Sequence, residues 1–190
     1  MKIPNDLTSL MPSLNAVQEI FKYFSDKGVI IGGVAASLLG KPRLTADVDA
    51  VIILPMKELP QLIEVAKQVG LFPRISDAED FAHRHHVLLL RHQESGIHVD
   101  ISLGMLPFEL EAVERGIFYQ AGEFVIRLTT PEDLIIFKAV AHRPKDLIDI
   151  QEIIKSHPRL DKKRIENWVK EFARVLEMPE IWDDISKLLE

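Results

Sequence analysis

Apolar residues recur along the chain with two different periods, and the change between them divides the chain into two parts. Residues 14–26 place apolar side chains every three or four positions, which is the spacing of an amphipathic helix, and Gly28 follows as a helix-ending residue. Between residues 29 and 128, short apolar runs bounded by turn residues are typical of strands. After Thr129 the helical period returns and continues to the C-terminus.

These patterns predict an α/β (α+β) fold: a small mixed β-sheet flanked by helices over residues 1–129, followed by a helical region over residues 130–190 that packs on this core. Gln93-Glu94-Ser95-Gly96 predicts a hairpin turn between two strands. The predicted strands are 29–31, 47–54, 71–75, 87–91, 97–103 and 124–128, and the predicted helices are 14–26, 34–39, 57–69, 131–142, 145–156, 161–176 and 180–189.

Composition and charge exclude several classes of protein for this chain. Of 190 residues, 47% are apolar and 27% charged, which is an ordinary globular balance. There is no cysteine, so disulfides, thiolate metal sites and cysteine nucleophiles are excluded. The net charge of −6 argues against a general nucleic-acid binder, because phosphate contacts supply most of that affinity. No apolar run follows Lys2 or approaches the roughly 20 residues of a membrane span, so we expect a cytoplasmic protein without membrane association.

Three acidic residues stand in otherwise apolar strands. Asp47 and Asp49 are two positions apart on a predicted strand, so both carboxylates leave one face with Cβ atoms roughly 6.6 Å apart. Asp100 stands alone in the strand 97–103 and joins this face if the two strands are neighbours. Three such carboxylates repel one another unless a cation neutralises them, and Mg²⁺ prefers oxygen ligands. The acids therefore indicate a divalent-metal site, whereas a capped turn is the plainer interpretation of Asp-x-Asp alone.

A glycine pair precedes the acids. Gly32 and Gly33 lie between the strand 29–31 and the helix 34–39. Free amides at a helix N-terminus favour a phosphate, and glycine allows the backbone to approach a ligand closely. A plain tight turn is an equally good interpretation of the pair alone. Thirteen residues separate the pair from Asp47, and the combination is much more specific than either motif.

Together these motifs resemble a known signature. Ile-Gly-Gly at residues 31–33 followed by Asp-Val-Asp at residues 47–49 resembles the polymerase-beta-like nucleotidyltransferase superfamily. Arg-x-Thr at residues 43–45 resembles its AbiEii-like branch, which includes nucleotidyltransferase toxins. Lys138 and the Arg-x-Lys-Asp-x-x-Asp element at residues 143–149 resemble later motifs of that branch. The resemblance covers about residues 29–150.

The resemblance implies an enzyme that moves a nucleoside monophosphate from an NTP to an acceptor hydroxyl and releases pyrophosphate. It implies two Mg²⁺ ions, with Mn²⁺ as an alternative, and leaves the acceptor open among tRNA, protein and a small molecule. The toxin branch adds an antitoxin as a partner. The implied metal ligands are Asp47, Asp49 and Asp100. Asp100 would also orient the attacking hydroxyl. The implied nucleotide-binding residues are Gly32, Gly33, Ser37, Arg43 and Thr45. Lys138 would neutralise triphosphate charge with help from Asp146.

Two expectations concern the position of Lys138. It borders the apolar stripe of its predicted helix, so we expect it to form the far wall of the nucleotide cleft together with Asp146. On this interpretation, removing the lysine impairs transfer with little loss of stability.

Two other functions are also compatible with parts of the sequence. The first is a non-catalytic nucleotide- or partner-binding module on the same fold, against which the three carboxylates and Lys138 speak. The second is a zinc hydrolase that uses the histidines between His83 and His98, although the chain has no His-Glu-x-x-His motif and a solvated role is favoured. His98 is two residues from Asp100, shares its face and is expected to line the cleft.

Overall fold

We describe the protein from a computed structural model that covers residues 5–121 and 124–190. The chain forms two compact units, one of Met1–Val34 with Leu44–Thr129 and one of Ala35–Arg43 with Thr130–Glu190. Each unit thus contains two chain segments, because the short segment 35–43 belongs with the C-terminal helices. Residues 1–4, on which the expectation of a cytoplasmic protein partly rests, lie outside the described residues.

The described residues contain strands and helices in the following order. The strands are β1 (Gly28–Ile30), β2 (Asp47–Ile52), β3 (Leu71–Pro73), β4 (Val87–His92), β5 (His98–Leu103), β6 (Ile117–Ala121) and β7 (Phe124–Leu128). The helices are α1 (Met11–Tyr23), α2 (Gly32–Leu39), α3 (Leu59–Gln68), α4 (Ala78–His85), α5 (Pro107–Glu114), α6 (Pro131–Ala141), α7 (Pro144–Ser156), α8 (Lys162–Val175) and α9 (Glu180–Leu189). Short 3-10 helices span Asn5–Leu10 and Met56–Glu58.

All of these strands join one sheet in the first unit, in the order β3-β4-β5-β2-β1-β7-β6. The pairs β2–β5 and β1–β7 are parallel and the remaining neighbours are antiparallel. The sheet is therefore mixed, and the α/β class with a helical C-terminal region is confirmed. Strands β4 and β5 form the predicted hairpin.

The core of the first unit explains which side of the sheet carries polar groups. Val48 on β2 and Val99 and Ile101 on β5 are fully buried. Alternate residues of a strand face opposite sides, so Asp49 and Asp100, which stand between buried residues, lie on the other side of the sheet. The burial of the apolar set thus fixes the direction in which the acids point.

Sequence periodicity missed three elements. Helix α4 buries only two alanines, Ala78 and Ala82, because most of its remaining residues are charged or histidine. Helix α5 is short, and its first turn is capped by Glu109, whose carboxylate accepts hydrogen bonds from the backbone N–H groups of Met105 and Leu106 at 2.8 and 2.9 Å. Strand β6 pairs with β7 and has an exposed Phe118, so it lacks a clear apolar alternation.

Helices α6 to α9 form the second unit together with the end of α2. They bury apolar stripes that consist of Leu134, Ile135, Ile136, Ala139, Ile150, Ile153, Ile165, Val169, Ala173, Ile181, Ile185 and Leu189. Helix α6 begins with a side-chain cap, in which the Thr130 hydroxyl accepts a hydrogen bond from the N–H of Asp133 at 3.2 Å. Among the described residues, no helix has both the length and the apolar character that crossing a membrane requires.

Candidate active site

The register of β2 and β5 brings three carboxylates together. Asp49 lies directly beside Asp100, and Asp47 lies beside His98, in a parallel pair of neighbouring strands. Residues in register on adjacent strands point to the same side of a sheet, and the strands are about 4.8 Å apart. The structure therefore places Asp47, Asp49 and Asp100 on one face of the sheet.

An arginine that the sequence did not reveal holds Asp100. The guanidinium of Arg74 forms an ion pair with the Asp100 carboxylate, and its Nη1 is 3.2 Å from Nδ1 of His98. Burial raises the pKa of Asp100 above its ordinary value; the charge and hydrogen bond of Arg74 oppose this rise, and the charge of Asp47 adds to it. Arg74 follows β3, and only the strand order β3-β4-β5 brings it to Asp100.

The chemistry of the donors fits Mg²⁺ at two of the acids. Asp47 is exposed and Asp49 is partly exposed, and the Thr45 hydroxyl donates a hydrogen bond to Oδ1 of Asp47 at 3.1 Å. In residues 5–121 and 124–190, no three His, Asp or Glu residues are arranged to hold a metal ion by themselves. Mg²⁺ usually takes one or two carboxylates plus substrate phosphates and water, so a pair of acids on one strand suits it.

The glycine pair lies against this acid pair. Gly32 is the first residue of α2 and has a φ of +64°, a conformation that other residues rarely adopt. A Cβ atom at Gly32 would lie 2.7 Å from Cγ of Asp49, which no real contact allows. Gly33 is already buried inside the first helical turn. Gly32 is therefore the residue that lets the N-terminus of α2 approach the Asp49 carboxylate.

Two of the expected nucleotide-binding residues form contacts within the second unit. The Ser37 hydroxyl is buried and donates a hydrogen bond to the carbonyl oxygen of Arg43 at 2.9 Å. The Arg43 guanidinium donates two hydrogen bonds to the Asp149 carboxylate, each at 2.8 Å. Ser37 thus closes the segment 35–43 on itself and Arg43 holds it on α7, so a nucleotide contact by either stays a prediction.

Lys138 is the centre of a buried ion cluster that also contains Arg43, Arg143, Asp146 and Asp149. Its Nζ donates hydrogen bonds to Oδ1 of Asp146 at 3.1 Å and to Oδ2 of Asp149 at 2.7 Å. The Lys138 side chain is 5% exposed and that of Asp146 is fully buried. Arg143 adds a hydrogen bond from Nε to Oδ2 of Asp146 at 2.5 Å. The spacing of Asp146 and Asp149 places both on one side of α7.

This burial changes the expectation for the lysine. An ammonium between two buried carboxylates is expected to stabilise the fold, which differs from the small loss of stability predicted from the sequence. The further expectation that Lys138 and Asp146 form a wall of the nucleotide cleft joins residues of both units and stays a prediction. Asp149, which carries the most contacts to Arg43 and Lys138, could have been assigned from its place in the Arg-x-Lys-Asp-x-x-Asp element.

The cluster also sets the acidity of its carboxylates. Burial raises the pKa of Asp149, but the hydrogen bonds and charges of Arg43 and Lys138 outweigh burial and hold this pKa below its ordinary value. The same balance, with Arg143 and Lys138, lowers the pKa of Asp146. Both residues are therefore ionised in the folded protein at neutral pH.

The chain belongs to the family described as nucleotidyl transferase of unknown function (DUF2204), whose pattern matches residues 13–180. No curated protein matches the chain. The family agrees with the superfamily inferred from the glycine and aspartate motifs, while the AbiEii-like branch stays a prediction.

Solved structures share the fold at low sequence identity. An antigenic nucleotidyltransferase-like protein from Paracoccidioides brasiliensis is 15% identical, with 98% of this chain and 95% of that chain covered and a TM-score of 0.55. The antibiotic-resistance factor ANT(2'')-Ia is also 15% identical, with 90% and 96% covered and a TM-score of 0.55. The lincosamide antibiotic adenylyltransferase LnuA is 13% identical, with 80% and 98% covered and a TM-score of 0.50. At these identities the similarity shows the fold alone.

Gly32→Ala is expected to lose more stability than an alanine at another glycine of positive φ. Gly70 has a φ of +81°, and a Cβ there would meet only His92 at 3.7 Å, an ordinary contact. Gly70→Ala thus measures backbone strain, about 1–3 kcal/mol, whereas Gly32→Ala adds the collision with Asp49. Urea unfolding of both variants tests this, and equal losses would contradict the close approach.

Lys138→Met is expected to destabilise the protein by about 3 kcal/mol, because it leaves two buried carboxylates with arginine partners only. Lys155→Met is the matched control, since Lys155 forms an exposed ion pair with Glu152 one helical turn away. Thermal and urea unfolding give the comparison. A Lys138 variant as stable as the control variant would show that the cluster adds nothing to folding.

The stabilisation by Asp149 is expected to depend on pH. Its pKa is lower in the folded than in the unfolded state, so its contribution is complete above the ordinary pKa and is lost as the pH falls through the folded pKa. The difference in unfolding free energy between the wild type and Asp149→Asn should therefore shrink from pH 6 to about pH 3. Asp77→Asn removes an exposed carboxylate and serves as the control. A difference that grows on acidification would reverse the assigned sign.

Proposed function

We propose that this protein is a divalent-metal-dependent nucleotidyltransferase that moves a nucleoside monophosphate from an NTP to an acceptor hydroxyl and releases pyrophosphate. The observation that carries the proposal is the contact between Gly32, at the N-terminus of α2, and Asp49, with Asp47 and Asp100 on the same side of the sheet. A phosphate site and an acidic site thus adjoin. The family to which the chain belongs supports the reaction class.

Each residue of the proposed site has a separate role in binding the nucleotide. The free amides at the start of α2 bind phosphate oxygens, and the absence of a side chain at Gly32 lets the phosphates come next to Asp49. Asp47 and Asp49 would hold Mg²⁺, which neutralises charge on the phosphates when bound. Thr45 fixes the orientation of Asp47 through its hydrogen bond. These contacts hold the α-phosphorus in place for attack.

We assign to Asp100 the role of receiving the proton of the acceptor. Its carboxylate lies beside Asp49, and burial raises its pKa, which brings it closer to the pKa of a useful general base. As the hydroxyl oxygen forms a bond to the α-phosphorus, the bond to pyrophosphate breaks, and the hydroxyl proton passes by way of Asp100 to water. Arg74 orients the Asp100 carboxylate through their ion pair.

The ion cluster in the second unit is assigned a positioning role. Arg43 and Lys138 both bind Asp149, which fixes the end of the segment 35–43 to α7. The chain reaches Asp47 four residues after Arg43, so Arg43 is the last residue of the second unit before the strand that carries the proposed metal ligands. The role that the superfamily resemblance implies for Lys138, neutralising triphosphate charge, stays a prediction.

The finer classification is also a proposal. The AbiEii-like branch, and with it an antitoxin partner, are supported by the Arg-x-Thr motif at residues 43–45 and by the element at residues 143–149. The cytoplasmic location stays a prediction. A non-catalytic binding module on the same fold is the competing function. Metal-dependent consumption of an NTP separates the two.

Wild-type protein incubated with each α-labelled NTP, Mg²⁺ and a mixture of RNA, protein and small hydroxyl compounds should transfer label and release pyrophosphate. Asp47→Asn and Asp49→Asn should reduce transfer at least about a hundredfold, because each replaces a charged carboxylate, the proposed metal ligand, by a neutral amide. Asp77→Asn, an exposed acid of the same unit, should have no effect. Binding of NTP with no turnover on any acceptor would favour the binding module, and full activity in both site variants would refute the assigned ligands.

A further inference from the structure

A cleft of about 840 Å³ opens beside the acids at the edge of the sheet in the first unit. Its lining residues are Phe72, Pro73, Arg74, Arg91, Gln93 and His98. None of these lining residues, all within the described part of the chain, is acidic, although the protein carries a net charge of −6. The cleft is therefore a locally cationic surface on an acidic protein.

The strand register orders these groups into one row across the sheet. Phe72 pairs with Arg91, Arg91 pairs with His98, and His98 pairs with Asp47. At about 4.8 Å from strand to strand, Arg91 is roughly 10 Å and Phe72 roughly 14 Å from Asp47. The row thus leads from a carboxylate through an imidazole and a guanidinium to an aromatic ring.

Arg91 carries the charge of the cleft. Arg74 is neutralised by its ion pair with Asp100, whereas Arg91 forms no ion pair with a carboxylate in the described part of the chain. The Nε of Arg91 donates a hydrogen bond to the Gly96 carbonyl at 3.2 Å, which anchors the guanidinium on the hairpin. Phe72 is 40% exposed at the outer end of the cleft. An anchored cation and an accessible ring are groups that bind a phosphate and a base.

The strand order shows on which side of the acids the cleft lies. In the order β4-β5-β2-β1, the cleft adjoins β5, and Gly32 follows β1 on the other side of β2. The entering and leaving oxygens of phosphoryl transfer are roughly in line on the transferred phosphorus. If the phosphates of the NTP lie at Gly32, pyrophosphate departs on the β1 side and the acceptor enters from the β5 side, where the cleft lies.

We propose that this cleft binds the acceptor and that the acceptor is a nucleoside phosphate, with its phosphate on Arg91, its base against Phe72 and its hydroxyl directed to the acids. The inference rests on the proposed function and adds the substrate class to it. A free nucleotide and the end of an RNA chain share this chemistry. The acceptor oxygen forms a bond to the α-phosphorus, the bond to pyrophosphate breaks, and the hydroxyl proton passes by way of Asp100 to water. A polycationic acceptor is disfavoured, because Arg91 repels it.

Binding is tested first, by calorimetric titration of AMP into protein that is saturated with Mg²⁺ and α,β-methylene ATP, so that the NTP site is filled. Arg91→Glu should weaken AMP binding about tenfold or more, since a charge-assisted hydrogen bond is lost and repulsion replaces it. Phe72→Ser should weaken AMP and adenosine alike. Arg174→Glu makes the same charge change at an exposed arginine of the second unit and should leave binding unchanged. Equal affinity in the wild type and Arg91→Glu would overturn the proposal.

Transfer is tested next, with α-labelled NTP and four acceptors: AMP, a short oligoribonucleotide with a free 3′-hydroxyl, adenosine and tobramycin. AMP or the oligoribonucleotide should be labelled at least about tenfold faster than adenosine, and Arg91→Glu should abolish this preference through KM. Whichever of the two is labelled identifies the source of the phosphate. Preferred labelling of adenosine or tobramycin would refute the proposal.

The two proposals fail in distinguishable ways. If the wild type neither binds the ATP analogue nor releases pyrophosphate, the proposed function fails. AMP titrated alone then decides the inference: binding that depends on Arg91 supports a nucleoside-phosphate site in the cleft, and binding that does not depend on Arg91 refutes it.

Discussion

The close approach of Gly32 to the Asp49 carboxylate is the constraint on which the site depends. The backbone at Gly32 has a positive φ, and a Cβ there would collide with Asp49. The same place on the chain ends β1, starts α2 and directs helical amides to the acids. A larger residue would move the carboxylate or the helix, so the start of α2 and the acidic residues depend on this one contact.

The route of the chain after this contact links the site to the C-terminal helices. The segment 35–43 leaves the first unit, and Arg43 is held by Asp149 before the chain returns at Leu44. A buried ion cluster is a costly way to stabilise a protein, because the desolvation of its charges offsets much of their attraction. The cluster contributes specificity instead. The planar guanidinium of Arg43 donates to both oxygens of the Asp149 carboxylate in one orientation, which defines where the segment ends.

The sequence predicted the fold class, most strands and the position of the acids on one side of the sheet, because alternation around Val48 and Val99 follows directly from burial. It did not predict Arg74, whose contact with Asp100 depends on strand order, a property that local patterns do not contain. It also did not show the buried partners of Lys138, because a lysine at the border of an apolar stripe has the same pattern whether its ammonium meets water or buried carboxylates.

The alternation of buried and exposed residues along β3 and β4 determines which substitutions the protein can tolerate. Phe72 and Arg91 point away from the buried Leu71 and Leu90 that neighbour them in sequence, so the residues of the cleft and the residues of the core occupy opposite faces of the same strands. Substitutions in the cleft therefore leave the packed face intact. On the proposed assignment of the cleft, acceptor preference can therefore change through surface substitutions while the core of the sheet stays unaltered.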